Sequence, residues 1–497
     1  MKLRVKDMDI ATGGIQVVIV NQQDAQLLDL HSEDRLLVKK GRKTTTGVLD
    51  IAESPKSVAR GQIGMFEETL DALGAKDGDI IDITLGDKPK SVAFIKKKLD
   101  GLELSASEIR QIIDDITDNQ LSQVELTSYV MANYANGMSM REIVDLTKAM
   151  ASTGDRLRPK AGMVADIHCI GGVPGNRTTM IVVPILVAAG LTVPKTASRA
   201  ITSPAGTADT MEVLCSVSLP KQKLERMLTD VGGFIVWGGA INLAPSDDKI
   251  IRIEYPMSID AEGQMLASIM AKKATVGATH LLMDLPVGPG SKLAHKRDAR
   301  HLQAHFEELG RILGIKMDVI ITNGSQPIGS GIGPALEARD CLFILENDER
   351  GSTDLRHKSI KLAGEMLEFT GKAKPGKGFT MAAYLLRSGK AHEAMMRIIV
   401  AQGGTRVRGD DIELGKLTYV VRAQKSGKVI KIDNVAVARI ARIAGAPKDK
   451  EAGIYLHVRK HAAVKQGDPL ITIHANNPDK LTYASEEAAR KEGVILR

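Results

Sequence analysis

The chain has 497 residues, 43% of them hydrophobic and 26% charged, enough apolar material for two to four packed domains at roughly 150 residues each. Seven Phe, seven Tyr and one Trp are too few for a groove that stacks successive bases, which excludes single-strand nucleic-acid binding as a leading function. Lys and Arg outnumber Asp and Glu by 67 to 60, an excess that suits an anionic ligand and, spread over this length, equally suits plain solubility.

Cys169, Cys215 and Cys341 stand far apart and form no CxxC, so neither a disulfide framework nor a structural zinc site is indicated, and a reducing compartment fits. The start MKLRVKDMDI has no apolar core or small-residue cleavage site of a signal peptide. The longest apolar run, residues 180–193, contains Pro184 and Gly190 and is shorter than the roughly 20 residues that span a bilayer. The expectation is a soluble cytoplasmic protein with no membrane or nucleic-acid partner.

Residues 1–88 alternate short β-branched runs with turns and carry a faint internal echo. Residues 27–38 (LLDLHSEDRLLV) and 70–83 (LDALGAKDGDIIDI) each read as an apolar stretch, a turn with Asp34 or Asp79, and an alternating strand. Two strand-turn-strand units predict a small pseudo-symmetric β barrel that resembles the double-psi barrels, with an unrelated small β domain as the alternative. A helical domain is expected over 95–160, with further helices from later in the chain. Its signals are capping boxes at Ser105 with Glu108, Ser122 with Glu125 and Ser139 with Glu142, and an apolar face of Ile109, Ile112, Ile113 and Ile116.

From 161 to 405 strand-like runs at 164–168, 234–237, 280–285 and 317–322 alternate with longer amphipathic stretches such as 207–215 and 298–313, which predicts an α/β domain. Residues 410–497 return to strands divided by Gly turns, as in SGKVIKI and VKQGDPLITI, and form a β-rich closing module. The fold class expected is therefore multidomain α/β, with a small barrel before it and an α+β module after it.

The densest glycine cluster, Gly171, Gly172 and Gly175 in DIHCIGGVPGNRTT, falls between a predicted strand and a helix starting near Thr178. Backbone amides and a helix N-terminus there suit an oxyanion, while a tight structural turn is the plainer reading. A second loop, KTASRAITSPAGTAD, offers Ser198, Arg199, Thr202, Ser203, Gly206 and Thr207, with Thr202 or Thr207 as a helix cap. The third constellation is Asp260 in SIDAEG, Ser268 and Lys272 at helical spacing in ASIMAKK, and Lys292 in GPGSKL. An Asp before a helix is commonly just a cap. No HExxH, His/Cys cluster or GxSxG elbow appears, so metal hydrolysis and serine acyl transfer lose support.

HCIGGVPGN, SRAITSPAGTAD, VWGGAINLAPSDD, ASIMAKK, GSQPIGSGIGPALEARD and AGAPKDKEAGI, in this order, resemble the thymidine and pyrimidine-nucleoside phosphorylase family. The likeness covers almost the whole chain and is to the longer branch that also contains archaeal AMP phosphorylases. It implies a cleft between the helical and α/β domains, a homodimer or larger assembly, and reversible phosphorolysis with inorganic phosphate as co-substrate and no cofactor or metal. The implied substrate is a nucleoside, thymidine first, with a nucleoside monophosphate such as AMP as the alternative. Gly172, the run Ser198, Arg199, Ala200, Ile201, Thr202 and Ser203, then Thr207, Ser268 and Lys292, match ligand-contacting positions. Asp260 matches the proton donor to the leaving base, and Ser268 with Lys272 the pair that holds the base.

Two departures from the family pattern stand out. Ile167, His168 and Cys169 replace a Lys-His-Ser, so Arg177, Arg199 or Lys292 is expected to compensate for the missing cation. Ile253 occupies the place of a base-contacting Arg, and neighbouring Arg252 points elsewhere if this stretch is a strand. Two further readings are a nucleotide-binding protein without catalysis and a phosphoribosyltransferase. The latter needs a magnesium-pyrophosphate site, for which Asp247 and Asp248 are the nearest acidic pair.

Overall fold

The computed structural model describes residues 1–13, 16–200, 203–257, 259, 261–490 and 493–497. Its contacts divide the chain into two compact units, Met1–Thr153 with Ala244–Ser268, and Gly154–Leu243 with Ile269–Arg497.

In the first unit, β1 (Lys2–Asp7), β2 (Val17–Asn21), β3 (Arg35–Lys40), β4 (Lys43–Ala52), β5 (Gln62–Met65) and β6 (Ile80–Leu85) close a barrel in the order β1-β5-β2-β4-β3-β6. The period-two pattern explains it: Leu3, Val5, Val18, Val20, Leu36, Val38, Ile81 and Ile83 alternate inward and fill the interior. The internal echo is real, but its unit is helix-turn-strand. Helix Glu67–Leu73 takes the apolar stretch of the second copy and helix Gln22–Leu27 precedes that of the first, ending at its Leu27, with Ala25 and Leu70 packed on the barrel core as helix faces. The two turns are equivalent: Asp34 accepts from the His31 amide at 2.7 Å and Asp79 from the Lys76 amide at 2.8 Å.

Helices Ser91–Leu99, Ala106–Thr117, Gln123–Asn136 and Met140–Thr153 follow, joined by Pro245–Met257 from later in the chain. All three expected capping boxes form, with the serine hydroxyls accepting from the Glu108, Glu125 and Glu142 amides and the carboxylates returning the bond. Lys98 and Glu142 make a buried ion pair at 2.8 Å. Ser105→Ala is expected to cost about 1 kcal/mol, read as a lower urea midpoint with an unchanged slope.

In the second unit, β7 (Ala165–Cys169), β8 (Val193–Ala197), β9 (Gly233–Trp237), β10 (His280–Val287) and β11 (Lys316–Asn323) are all parallel. The order is β11-β10-β7, and a single parallel bridge between Val164 and Thr192 links β7 to the β8-β9 pair. Helix Thr178–Ala188 carries no polar face beyond its first turn, and it is buried against helices Pro334–Leu345, Thr353–Phe369, Gly378–Arg387 and Lys390–Ala401. The closing module has the sheets β12 (Gly331–Ile332)-β15-β17-β13 and β16-β14-β18, with β13 Leu417–Arg422, β14 Gly427–Ile432, β15 Gly453–Leu456, β16 Ala463–Val464, β17 Pro469–Ala475 and β18 Val494–Leu496. Helices Asn434–Ala444 and Pro478–Arg490 cover them. The expected fold class is thus what the chain adopts. No described helix is long and apolar enough to cross a membrane.

Candidate functional site

The end of β7 is built on a buried charge cluster. The strand is buried on both faces here, and the carboxylate of fully buried Asp166 takes the Lys273 ammonium at 2.8 Å and the Ile167 amide at 2.7 Å. Lys195, on neighbouring β8, lies 3.8 Å from the same carboxylate and donates to the Ile167 carbonyl at 2.7 Å. Burial, with Lys273 beside it, pulls the Lys195 ammonium down to about 7. His168 is pushed well below the usual imidazole range by burial first, then by Lys273, Lys195, Lys272 and Lys292. An imidazole whose charged form is disfavoured by burial and by nearby positive charge marks a place where negative charge is welcome.

The glycine loop follows directly. Gly172 has φ +89°, and a Cβ there would lie 2.4 Å from the Lys292 backbone nitrogen and 3.0 Å from the Ser291 carbonyl carbon. Only a glycine lets the two chain segments approach this closely. The Lys292 segment is itself pinned. The Ser291 hydroxyl lies 2.8 Å from both the Gly288 and the Leu293 carbonyl and shares its one proton between them, and Asn434 of the closing module donates to the Pro289 and Gly324 carbonyls at 3.1 and 2.8 Å. Sequence reasoning misses Asn434, since nothing local marks a residue that acts on a turn 145 positions away.

The second loop folds back on itself: a Cβ at Gly206 would meet the Ser198 carbonyl oxygen at 2.5 Å. Asp209 accepts from the Ala200 and Gly206 amides at 2.6 and 2.9 Å, and Ser203 donates to the Ala205 carbonyl at 3.0 Å. Thr207 is accordingly the first residue of helix Thr207–Met211, and the cap is Gly206, not Thr207. Ile201, Thr202 and Asp260 lie outside the described residues. Ser268 and Lys272 sit four residues apart on helix Glu262–Thr275, and Asp247 and Asp248 in the first turn of helix Pro245–Met257.

Neither arginine expected to compensate for Ile167 is available. Arg177 pairs with the fully buried Glu337 and donates to the Asn176 and Ala205 carbonyls. Arg199 forks onto Glu212 at 2.7 and 2.8 Å, reaches Asp209 at 3.3 Å, and lies over the Trp237 ring at 4.9 Å. The cations that do gather are lysines. Lys195 left a readable signal, a charge within the apolar strand VPKTA.

The family description "Glycosyl transferase family, a/b domain" matches residues 161–255, "Glycosyl transferase family, helical bundle domain" matches 92–154, and "Pyrimidine nucleoside phosphorylase C-terminal domain" matches 428–493. AMP phosphorylase 1 of Archaeoglobus fulgidus is 46% identical over 96% of this chain and 94% of its own. AMP phosphorylase of Pyrococcus furiosus is 45% identical over 100% and 98%. The chain belongs to the pyrimidine-nucleoside phosphorylase family. It falls in the long branch that includes the archaeal AMP phosphorylases. "Putative thymidine phosphorylase" of Legionella pneumophila is 43% identical over 99% of this chain and 95% of its own. Anthranilate phosphoribosyltransferase of Thermus thermophilus, at 18% identity, shares the fold with a TM-score of 0.54 over 62% of this chain and 99% of that one. The protein is a pentosyltransferase of the nucleoside or nucleotide phosphorylase type.

Within this phosphorylase, Arg252 needs a correction. The stretch is the helix Pro245–Met257, not a strand; Ile253 is buried, and the Arg252 guanidinium donates to the Gly13 carbonyl of the barrel. Cys169 accepts from Asn176 at 3.2 Å, and burial, reinforced by Asp284, pushes its thiol up to about 12. Burial also raises Cys215 to about 12 and Cys341 well above the usual thiol range. Iodoacetamide at about pH 8 is expected to modify the native chain on the order of 10³-fold more slowly than free cysteine, and normally after unfolding.

Proposed function

We propose that the enzyme cleaves nucleoside 5'-monophosphates, AMP foremost, by phosphorolysis. An oxygen of inorganic phosphate bonds to C1' as the C1'–N bond breaks, and the base leaves with a proton from Asp260. The products are adenine and ribose 1,5-bisphosphate. Gly172, the run 198–203, Thr207 and Lys292 frame the anions, and Ser268 with Lys272 holds the base.

The observation that carries this reading is the pair of buried ammoniums, Lys195 and Lys273, that share the single Asp166 carboxylate on the strand leading into the glycine loop. A nucleotide substrate brings a second phosphate alongside the attacking one, and such a field suits two anions better than one. The names of the Archaeoglobus and Pyrococcus relatives support the same choice. Thymidine, the first expectation from the sequence, is favoured by the Legionella relative. It is disfavoured by Ile253, an apolar buried side chain where a base-contacting arginine would stand. Purified protein incubated with phosphate and, separately, AMP, CMP, UMP, uridine and thymidine tests the choice by chromatography of free base. Adenine release from AMP with ribose 1,5-bisphosphate is expected, and release from thymidine but not AMP overturns it.

A further inference from the structure

Lys195 enters the reading above only as one charge of a group, yet its own position is unusual. It is a buried ammonium on β8 that crosses to the neighbouring strand, and its shortest contact is a main-chain carbonyl, that of Ile167 at 2.7 Å. The Asp166 carboxylate is held more tightly by Lys273, at 2.8 Å against 3.8 Å for Lys195. One carboxylate between two ammoniums leaves positive charge beneath Ile167, four residues before Gly171. The groups facing Lys195 are Asp166, His168 and Cys169 of β7 and Lys273 of helix Glu262–Thr275, while its partner position on β9 is Ile235. A buried charge of this kind is costly unless something answers it, and among these groups no second carboxylate does.

We propose that Lys195 is a positioning residue of the anion site: it fixes the end of β7 through the Ile167 carbonyl and supplies the buried charge that an oxyanion in the Gly171–Gly172 loop completes. The inference rests on reading that loop as the phosphate site. It adds that binding an anion takes up a proton, because the free ammonium is held near neutrality and an anion nearby favours its charged form. The sign follows: anion affinity is full below about pH 7 and falls as pH rises through that value.

The test uses sulfate, a dianion across about pH 6 to about pH 9, titrated by calorimetry into the full chain, so that it does not depend on turnover. In the natural protein the sulfate Kd is expected to rise about tenfold between pH 7 and pH 9. Lys195→Gln, which can still donate to the Ile167 carbonyl, is expected to bind about tenfold more weakly at pH 6.5 with no pH slope. Lys195→Arg keeps its charge at every pH and is expected to bind at pH 9 as tightly as at pH 6.5. With phosphate as substrate, Lys195→Gln is expected to raise the phosphate KM while kcat at saturation stays within about threefold. Natural affinity and slope in Lys195→Gln, or the natural slope in Lys195→Arg, overturns the proposal. Absence of base release from every nucleoside and nucleotide with sulfate binding intact overturns the phosphorylase reading of the site and leaves the role of Lys195 standing.

Discussion

Gly172→Ala is expected to lower kcat/KM for phosphate by about 10²-fold or more, the scale at which a misplacement of about 1 Å disables a positioned reaction. The added Cβ would fall 2.4 Å from the Lys292 nitrogen, and the obstacle is backbone, which cannot swing aside as a side chain does. Nor can the facing segment retreat, since Ser291 ties it to Gly288 and Leu293, and Asn434 ties it to the closing module. Gly171→Ala is the control: its φ is +90°, so an alanine is strained there by about 1–2 kcal/mol, but no heavy atom lies within 4 Å of the new methyl. A loss of activity in Gly172→Ala no larger than in Gly171→Ala would mean that the Gly172–Lys292 approach does not serve the anion site.

Asp260→Asn is expected to lower kcat by about 10²–10⁴-fold with little change in the KM for phosphate, the usual span for removing a general acid. An amide matches the carboxyl in size and has no proton of comparable acidity to give the departing base. The effect should shrink for a nucleotide whose base leaves readily as an anion, because protonation is then less needed in the transition state. Equal losses for good and poor leaving bases would remove Asp260 from the role of proton donor.

Much of the fold was legible because it is written in short-range chemistry. The serine-glutamate pairs at 105, 122 and 139 cap helices where they were expected, and short strand-like runs between longer amphipathic stretches marked β7, β9, β10 and β11. Short segments were the weak point. The apolar run at 70–73 before Asp79 and the stretch around Arg252 are helical, since a few apolar residues satisfy either period and only packing decides between them.

The sequence alone determined the family, the glycine loops and the residue types an anion site needs, because each depends on neighbours within a few positions. What only the tertiary structure decided is which charges pair with which. Arg177 is taken by Glu337, 160 residues on, Arg199 is taken by Glu212, and Lys195 and Lys273 share Asp166. Coulomb attraction acts on distance in space, so the partner of a charge is chosen by the fold that brings strand and helix together.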